Sequence, residues 1–236
     1  SVDGIKPLWF RIEMKILFKL TSRSRHTNFF RALDSIIDNC TSDQYQILCS
    51  LDFDDKTMCN DEVRQALAWY FHKGVPIVYH YGASKNKVDA INRDMENRGH
   101  WDILVNVSDD QIFTVVGFDE IIRANMPADL DCFLHFPDGH AGERLATLSI
   151  MGRAYYDRFG YIYHPDYISL WCDNEAMEVA KKLGKYKLVS ERIFEHLHPA
   201  NGNAPTDAQY KKTESYYRID EKTFNRRKAM NFYLPK

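Results

Sequence analysis

The chain has 236 residues, 31 Lys and Arg against 33 Asp and Glu, and a formal net charge of −2. That length buries a sizeable core without disulfide or metal staples. A composition 44% apolar and 27% charged excludes disordered, collagen-like and coiled-coil chains, and the absence of a basic excess argues against nucleic acid as a partner.

Residues 14–20, MKILFKL, predict a strand that runs into a polar loop at 21–27. Phe29, Phe30, Leu33, Ile36, Ile37 and Cys40 then recur with a helical period, which predicts an amphipathic helix with Thr27 or Asn28 as its N-cap. A strand-length apolar run at 45–51 stops at Asp52, Asp54 and Asp55. A helix over 61–72 broken by Gly74, a strand over 75–81, a helix over 87–95 and a strand over 103–107 follow. The last of these stops at Ser108-Asp109-Asp110.

Alternating strands and helices with buried-type strands predict an α/β fold, a mostly parallel central sheet with helices on both faces. The second half predicts strands at 130–136, 145–150 and 186–190, and helices at 152–159 and 173–183, the latter ended by Gly184. Residues 200–206 read as a linker, and 211–228, with seven Lys or Arg against three acids, as a terminal helix over the site.

The longest apolar runs fall far short of the roughly 20 residues that span a bilayer, so any membrane association is expected to be peripheral. No leader pattern is visible, and five scattered cysteines without a C-x-x-C pair point to reduced thiols in a cytoplasmic protein.

In open α/β sheets ligands bind beyond the carboxyl ends of the strands. The polar segments 21–25, 52–55, 82–86 and 108–111 all fall there, which predicts a small-molecule site. Adjacent carboxylates at Asp109 and Asp110 are costly at a strand end unless they are solvated, hydrogen-bonded or bound to a cation. Their oxygens suit Mg²⁺ or Mn²⁺; a solvated turn is the plain alternative. His196-Leu197-His198 offers a further ligand, because alternate residues of an extended segment share a face. Asp173 and Glu175 open a helix just after Trp171. There they serve the helix dipole, or Asp173 acts as a general base beside Trp171 as a sugar platform.

The order of these segments resembles the family-2 glycosyltransferases of GT-A fold, from Met14 to about His198. Leu20-Thr21-Ser22-Arg23 resembles that family's first strand end, and the 47–52 segment its strand ending in a base-holding Asp. Residues 82–92, GASKNKVDAIN, resemble its G-x-x-x-x-x-K-x-x-A-x-N segment with one residue fewer before the Lys. Ser108-Asp109-Asp110 departs from the family's D-x-D by a Ser in the first position, and Cys172-Asp173 from its E-D pair by the missing Glu.

The resemblance implies a single GT-A domain over 1–236, with a nucleotide half at 14–110, an acceptor half at 111–200 and a tail at 201–236. It implies an inverting, Mn²⁺- or Mg²⁺-dependent transfer of a sugar from a nucleotide-sugar, UDP favoured, to a carbohydrate or glycoconjugate acceptor, as in polysaccharide synthesis. Asp110 with His196 or His198 would bind the metal, and Asp173 would be the base. Thr21, Arg23, Asp52, Lys85, Lys87 and Asp109 would bind the nucleotide, with Arg25 a further phosphate or base contact, and Trp171 and Glu175 the acceptor. Two rival readings are a degenerate, non-catalytic nucleotide-sugar-binding protein and a haloacid-dehalogenase-type phosphatase built on Asp52-Phe53-Asp54. A nucleotidyltransferase lacks its Gly-rich loop here.

Overall fold

A computed structural model describes residues 14–96, 99–197, 202 and 208–235. Strand β1 (Ile16–Thr21) turns Ile16, Phe18 and Leu20 into one apolar core and Leu17 into another, the period-two alternation of a strand buried on both faces. Each such Leu, Ile or Phe contributes about 1.5–3 kcal/mol on burial. Helices α1 (His26–Asn39), α2 (Asp61–His72) and α4 (Phe118–Asn125) supply residues to the first core. Helices α3 (Lys87–Asn92), α5 (Arg153–Asp157), α6 (Cys172–Lys182) and α8 (Tyr217–Ala229) supply the second.

The remaining strands are β2 (Tyr45–Asp52), β3 (Ile77–Gly82), β4 (Ile103–Ser108), β5 (Gln111–Phe113), β6 (Phe133–His135), β7 (Ser149–Gly152), β8 (Tyr186–Leu188) and β9 (Phe194–His196). Seven strands form one sheet in the order β3-β2-β1-β4-β7-β6-β8, in which β7 runs antiparallel to both its neighbours. The expected mostly parallel sheet with helices on both faces is present. Strand β5 pairs antiparallel with β9, placing Gln111 opposite His196.

Several expected boundaries move. Helix α1 begins at His26 with Arg25 as its N-cap, not Thr27 or Asn28, and Arg25 makes no capping bond because its side chain is used elsewhere. Helix α3 stops at Asn92, because Arg93 leaves the helix and points its guanidinium at Ser84 and the Leu51 carbonyl. The expected strand at 145–150 survives only from Ser149; at its end a Cβ on Gly152 would lie 2.1 Å from the Leu130 carbonyl oxygen, so glycine is required. Strands β5 and β9 were not anticipated, since three residues are too few to show alternation. The C-terminal segment is two helices, α7 (Ala208–Glu214) and α8, rather than one. The expected linker at 200–206 lies, apart from Gly202, outside the described residues, as does His198. All five cysteines are free thiols. Among the described residues no helix is long and apolar enough to cross a membrane.

Candidate functional site

The chain passes from β1 outward through β2 to β3, then returns to lay β4 on the other side of β1. Where the strand order reverses, the loops after β1 and β4 part and leave a crevice beyond the strand ends. A cleft of about 480 Å³ opens there. Thr21 ends β1 in register with Ser108, the end of β4, and with Ser50, from which β2 runs on to Asp52. The Ser22 hydroxyl donates to Asp109 Oδ2 at 2.5 Å, joining the two sides.

On the β2 side, Arg23 donates to Asp52 at 2.8 Å and in a fork to Asp54 at 2.8 and 2.9 Å. Asp54 therefore titrates below the usual carboxylate range. The Ser24 amide, at φ 61°, donates to Asp55 at 2.6 Å, so the acidic cluster of the second loop holds the first. The other oxygen of Asp52 lies 3.3 Å from Arg93. Below it the fully buried Lys19 donates to the Ser50 hydroxyl and the Arg93 carbonyl, and Ser50 donates to Asp94 at 2.6 Å. Asp52 is thus held between two guanidinium groups, on β2 rather than the first strand. Lys85 and Lys87 also line the cleft.

Asp109, Asp110 and His196 meet at the centre. Asp109 Oδ1 lies 3.2 Å from Arg25, whose Nη1 is 3.8 Å from Asp110 Oδ2. Burial and then the Asp110 charge raise Asp109 to about 6, against Arg25 and Ser22. Asp110 Oδ1 faces His196 Nε2 at 3.6 Å, and His196 Nδ1 lies 3.3 Å from Asp138 Oδ2. Burial opposes a charged imidazole, but the two carboxylates outweigh it and raise His196 to about 9. Burial likewise works against an ionised Asp138, yet His196 and the amides of His140 and Gly142 hold it well below the carboxylate range.

Asp173 also lines the cleft, in the first turn of α6. Burial raises its pKa, while its neighbouring amide and the Lys87 charge lower it. The 168–170 segment before it is fixed by Asp220 of α8, a buried carboxylate that accepts three successive amides at 2.8–2.9 Å. Lys212, Thr213 and Tyr216 bring the C-terminal segment to the same cleft.

Two expected acceptor residues do not line this cleft. Glu175 is buried and accepts from Tyr167 at 2.7 Å and from Arg227 at 2.8 and 2.9 Å, so its carboxylate is part of the packing between α6 and α8. The Trp171 ring packs against Tyr217 and Phe224, at centroid distances of 5.5 and 5.1 Å. In the other direction, Asp138, Arg93 and Asp220 carry no motif. Asp138-Gly139 reads in sequence only as a turn, and nothing local says that it will meet His196.

The donor set fits a divalent cation in kind: carboxylate oxygens and an imidazole suit Mn²⁺, and Asp138 supplies the outer carboxylate that metal-binding histidines usually have. Among the described residues, however, no three His, Cys, Asp or Glu side chains already stand in a metal-holding group. Asp110 and His196 would provide two ligands. That is the usual protein share for an ion completed by phosphate oxygens and water.

No protein-family profile matches the sequence, and no curated protein matches it. Among solved structures, a mannosyltransferase from Pyrobaculum calidifontis in complex with GDP-Man and Mn²⁺ is similar at a TM-score of 0.59 and 11% identity, over 76% of this chain and 55% of that one. Glucosyl-3-phosphoglycerate synthase from Mycobacterium tuberculosis, in complex with Mn²⁺, UDP and phosphoglyceric acid, is similar at 0.53 and 14%, over 78% and 71%. GalNAc-T7 with UDP, GalNAc and Mn²⁺ is similar at 0.59 and 10%, over 78% and 43%. The fold is the GT-A type of these nucleotide-sugar glycosyltransferases. The chain spans little more than half the length of the mannosyltransferase.

Proposed function

We propose that this protein is a metal-dependent glycosyltransferase that moves a sugar from a nucleotide-sugar to an acceptor hydroxyl with inversion. The observation that carries this reading is the meeting of Asp110 and His196 at 3.6 Å on the cleft that Asp173 also lines. Asp110 and His196 would hold Mn²⁺ or Mg²⁺, with His196 rather than His198 as the imidazole ligand. When bound, the ion offsets the charge that develops on the diphosphate leaving group.

Asp173 takes the proton of the acceptor hydroxyl. The hydroxyl oxygen bonds to the anomeric carbon, and the bond from that carbon to the diphosphate oxygen breaks, the electron pair leaving with the nucleoside diphosphate. Lys87 lies within electrostatic reach of Asp173 and favours its ionised form. Residues 14–110 make the nucleotide half, with Thr21, Arg23, Asp52 and Lys85 around the nucleoside, and 111–200 the acceptor half. A UDP-sugar is the favoured donor on the resemblance to family 2, and a growing polysaccharide or other glycoconjugate the acceptor.

A thermal-shift panel of UDP-, GDP-, ADP- and CDP-sugars with and without Mn²⁺ tests this. A donor at 100 times its dissociation constant adds about 2.7 kcal/mol of stability. A melting shift that needs both nucleotide-sugar and Mn²⁺ supports the reading; no shift with any pair contradicts it. Mn²⁺-dependent binding without turnover would mark a degenerate transferase.

A further inference from the structure

The turn that leads into α6 does not hold itself in place. Its N-cap residue, Trp171, has φ 62°, a left-handed conformation that a bulky residue keeps only when its surroundings impose it. The Trp171 side chain makes no capping bond that would fix the helix start. The group that imposes the turn comes from 50 residues further along the chain. Asp220 of α8, fully buried, accepts the amide of Ile168 at 2.9 Å and those of Ser169 and Leu170 at 2.8 Å. Three successive peptide planes are thus fixed by one carboxylate, directly ahead of the strained residue.

The same face of α8 grips the far side of the turn. Arg227 follows Asp220 by two helical turns, and its guanidinium meets Glu175 fork to fork at 2.8 and 2.9 Å. Asp173 lies between the two grips: residues 168–170 precede it and Glu175 follows it. Ile168, Ser169 and Leu170 line the same cleft as Asp173, so Asp220 holds from behind a stretch of backbone whose other side faces the site.

We propose that Asp220 is a positioning residue for the transfer: buried from solvent, it offers substrate no surface, and it sets where Asp173 meets the acceptor hydroxyl by fixing the backbone that carries Asp173. This rests on the glycosyltransferase reading with Asp173 as the base. A reacting group displaced by about 1 Å costs about 10²-fold in rate. A grip on three amides is of the right kind to prevent such a displacement. Helix α8 thereby belongs to the machinery of the site and is not a tail beside it.

The test is a double-mutant cycle over the wild type, Asp173→Asn, Asp220→Asn and the double variant. Release of nucleoside diphosphate is followed from UDP-, GDP-, ADP- and CDP-sugars in saturating Mn²⁺, with free monosaccharides offered as acceptors. Affinity for the preferred nucleoside diphosphate is titrated alongside. Asp220→Asn keeps the side-chain volume but turns a donor towards the amides, and is expected to lower kcat about 10²-fold. Nucleoside diphosphate affinity is expected to stay near the wild-type value, because Asp52, Asp110 and His196 lie on or beside other elements. The double variant is expected to be no slower than Asp173→Asn, since a group that acts only through Asp173 then has nothing left to position. Asp220→Ser, shorter and without the fixed donor, repeats the cycle should Asp220→Asn melt near the assay temperature. An unchanged kcat in the Asp220 variants overturns the proposal. So do losses that multiply in the double variant, or nucleotide binding that weakens as much as kcat falls; both would make Asp220 a support of the fold at large. Each of these leaves the glycosyltransferase reading intact. A wild type that releases nucleoside diphosphate from none of the donors overturns both.

Discussion

Asp138 and His196, brought together from a turn and from the end of β9, lie 3.3 Å apart, and the contact fixes which imidazole nitrogen faces the cleft. With Nδ1 turned to Asp138, Nε2 is directed at Asp110. The Asp138 carboxylate is itself held by the amides of His140, Ala141 and Gly142 and by the Thr147 hydroxyl. The imidazole is therefore positioned by a group with little freedom of its own.

Asp138→Asn should consequently weaken Mn²⁺ binding by about 10-fold to 100-fold, the usual cost of losing an outer carboxylate behind a metal-binding histidine. Calorimetric titration with Mn²⁺ measures this directly, and an unchanged affinity would remove His196 from the metal site.

Asp173→Asn keeps the shape of the first turn of α6 but cannot take a proton. It should lower kcat for transfer by about 10²-fold to 10⁴-fold, with nucleotide affinity nearly unchanged. Steady-state kinetics with a separate binding titration distinguishes this from a loss of the donor site.

The Glu175–Arg227 pair, with both side chains about 5% exposed, ties α8 to α6 behind the Asp173 wall. Breaking one partner strands the other charge in the interior. Arg227→Met should therefore destabilise the protein by about 3–5 kcal/mol. Urea unfolding checks the value, and a change within 0.5 kcal/mol, the scale of an ordinary surface substitution, would contradict it.

Asp131 is held at about 2 by hydrogen bonds from Arg158, against burial and with help from Lys185. A carboxylate depressed in the folded state stabilises the fold above its unfolded pKa, and that contribution is lost as pH falls through the folded value. Asp131→Asn should thus melt below the wild type at pH 7, and the gap should close between about pH 4 and pH 2. A gap that persists at pH 2 would mean that the ion pairs are not its source.

The first half of the fold is legible in the sequence because each of its strands and helices is long enough to show its period. Helix α2 lies at Asp61–His72 as its pattern predicts, and β2 ends on the acid that stops its apolar run. The three-residue strands β5 and β9 fall below the length at which alternation can be seen, so the geometry that brings His196 opposite Gln111 is not readable locally. The cleft residues from strand ends, Thr21, Asp52, Asp109 and Asp110, were legible for the same reason as the strands. Asp138, Arg93 and Asp220 were not, because each acts across a long sequence separation from a position that no motif marks. Glu175 and Trp171 misled because an acid and an aromatic beside a helix start look the same whether they face solvent or α8.

The central claim is that Asp110 and His196 hold a cation that makes the cleft a nucleotide-sugar site. Release of nucleoside diphosphate from the preferred donor, followed over time with Mn²⁺ or with a chelator, tests it most directly. The account predicts release that requires Mn²⁺ in the wild type and falls to background in Asp110→Ala and His196→Ala, with both variants folded. Release that continues undiminished in the chelator, or in either variant, would contradict it.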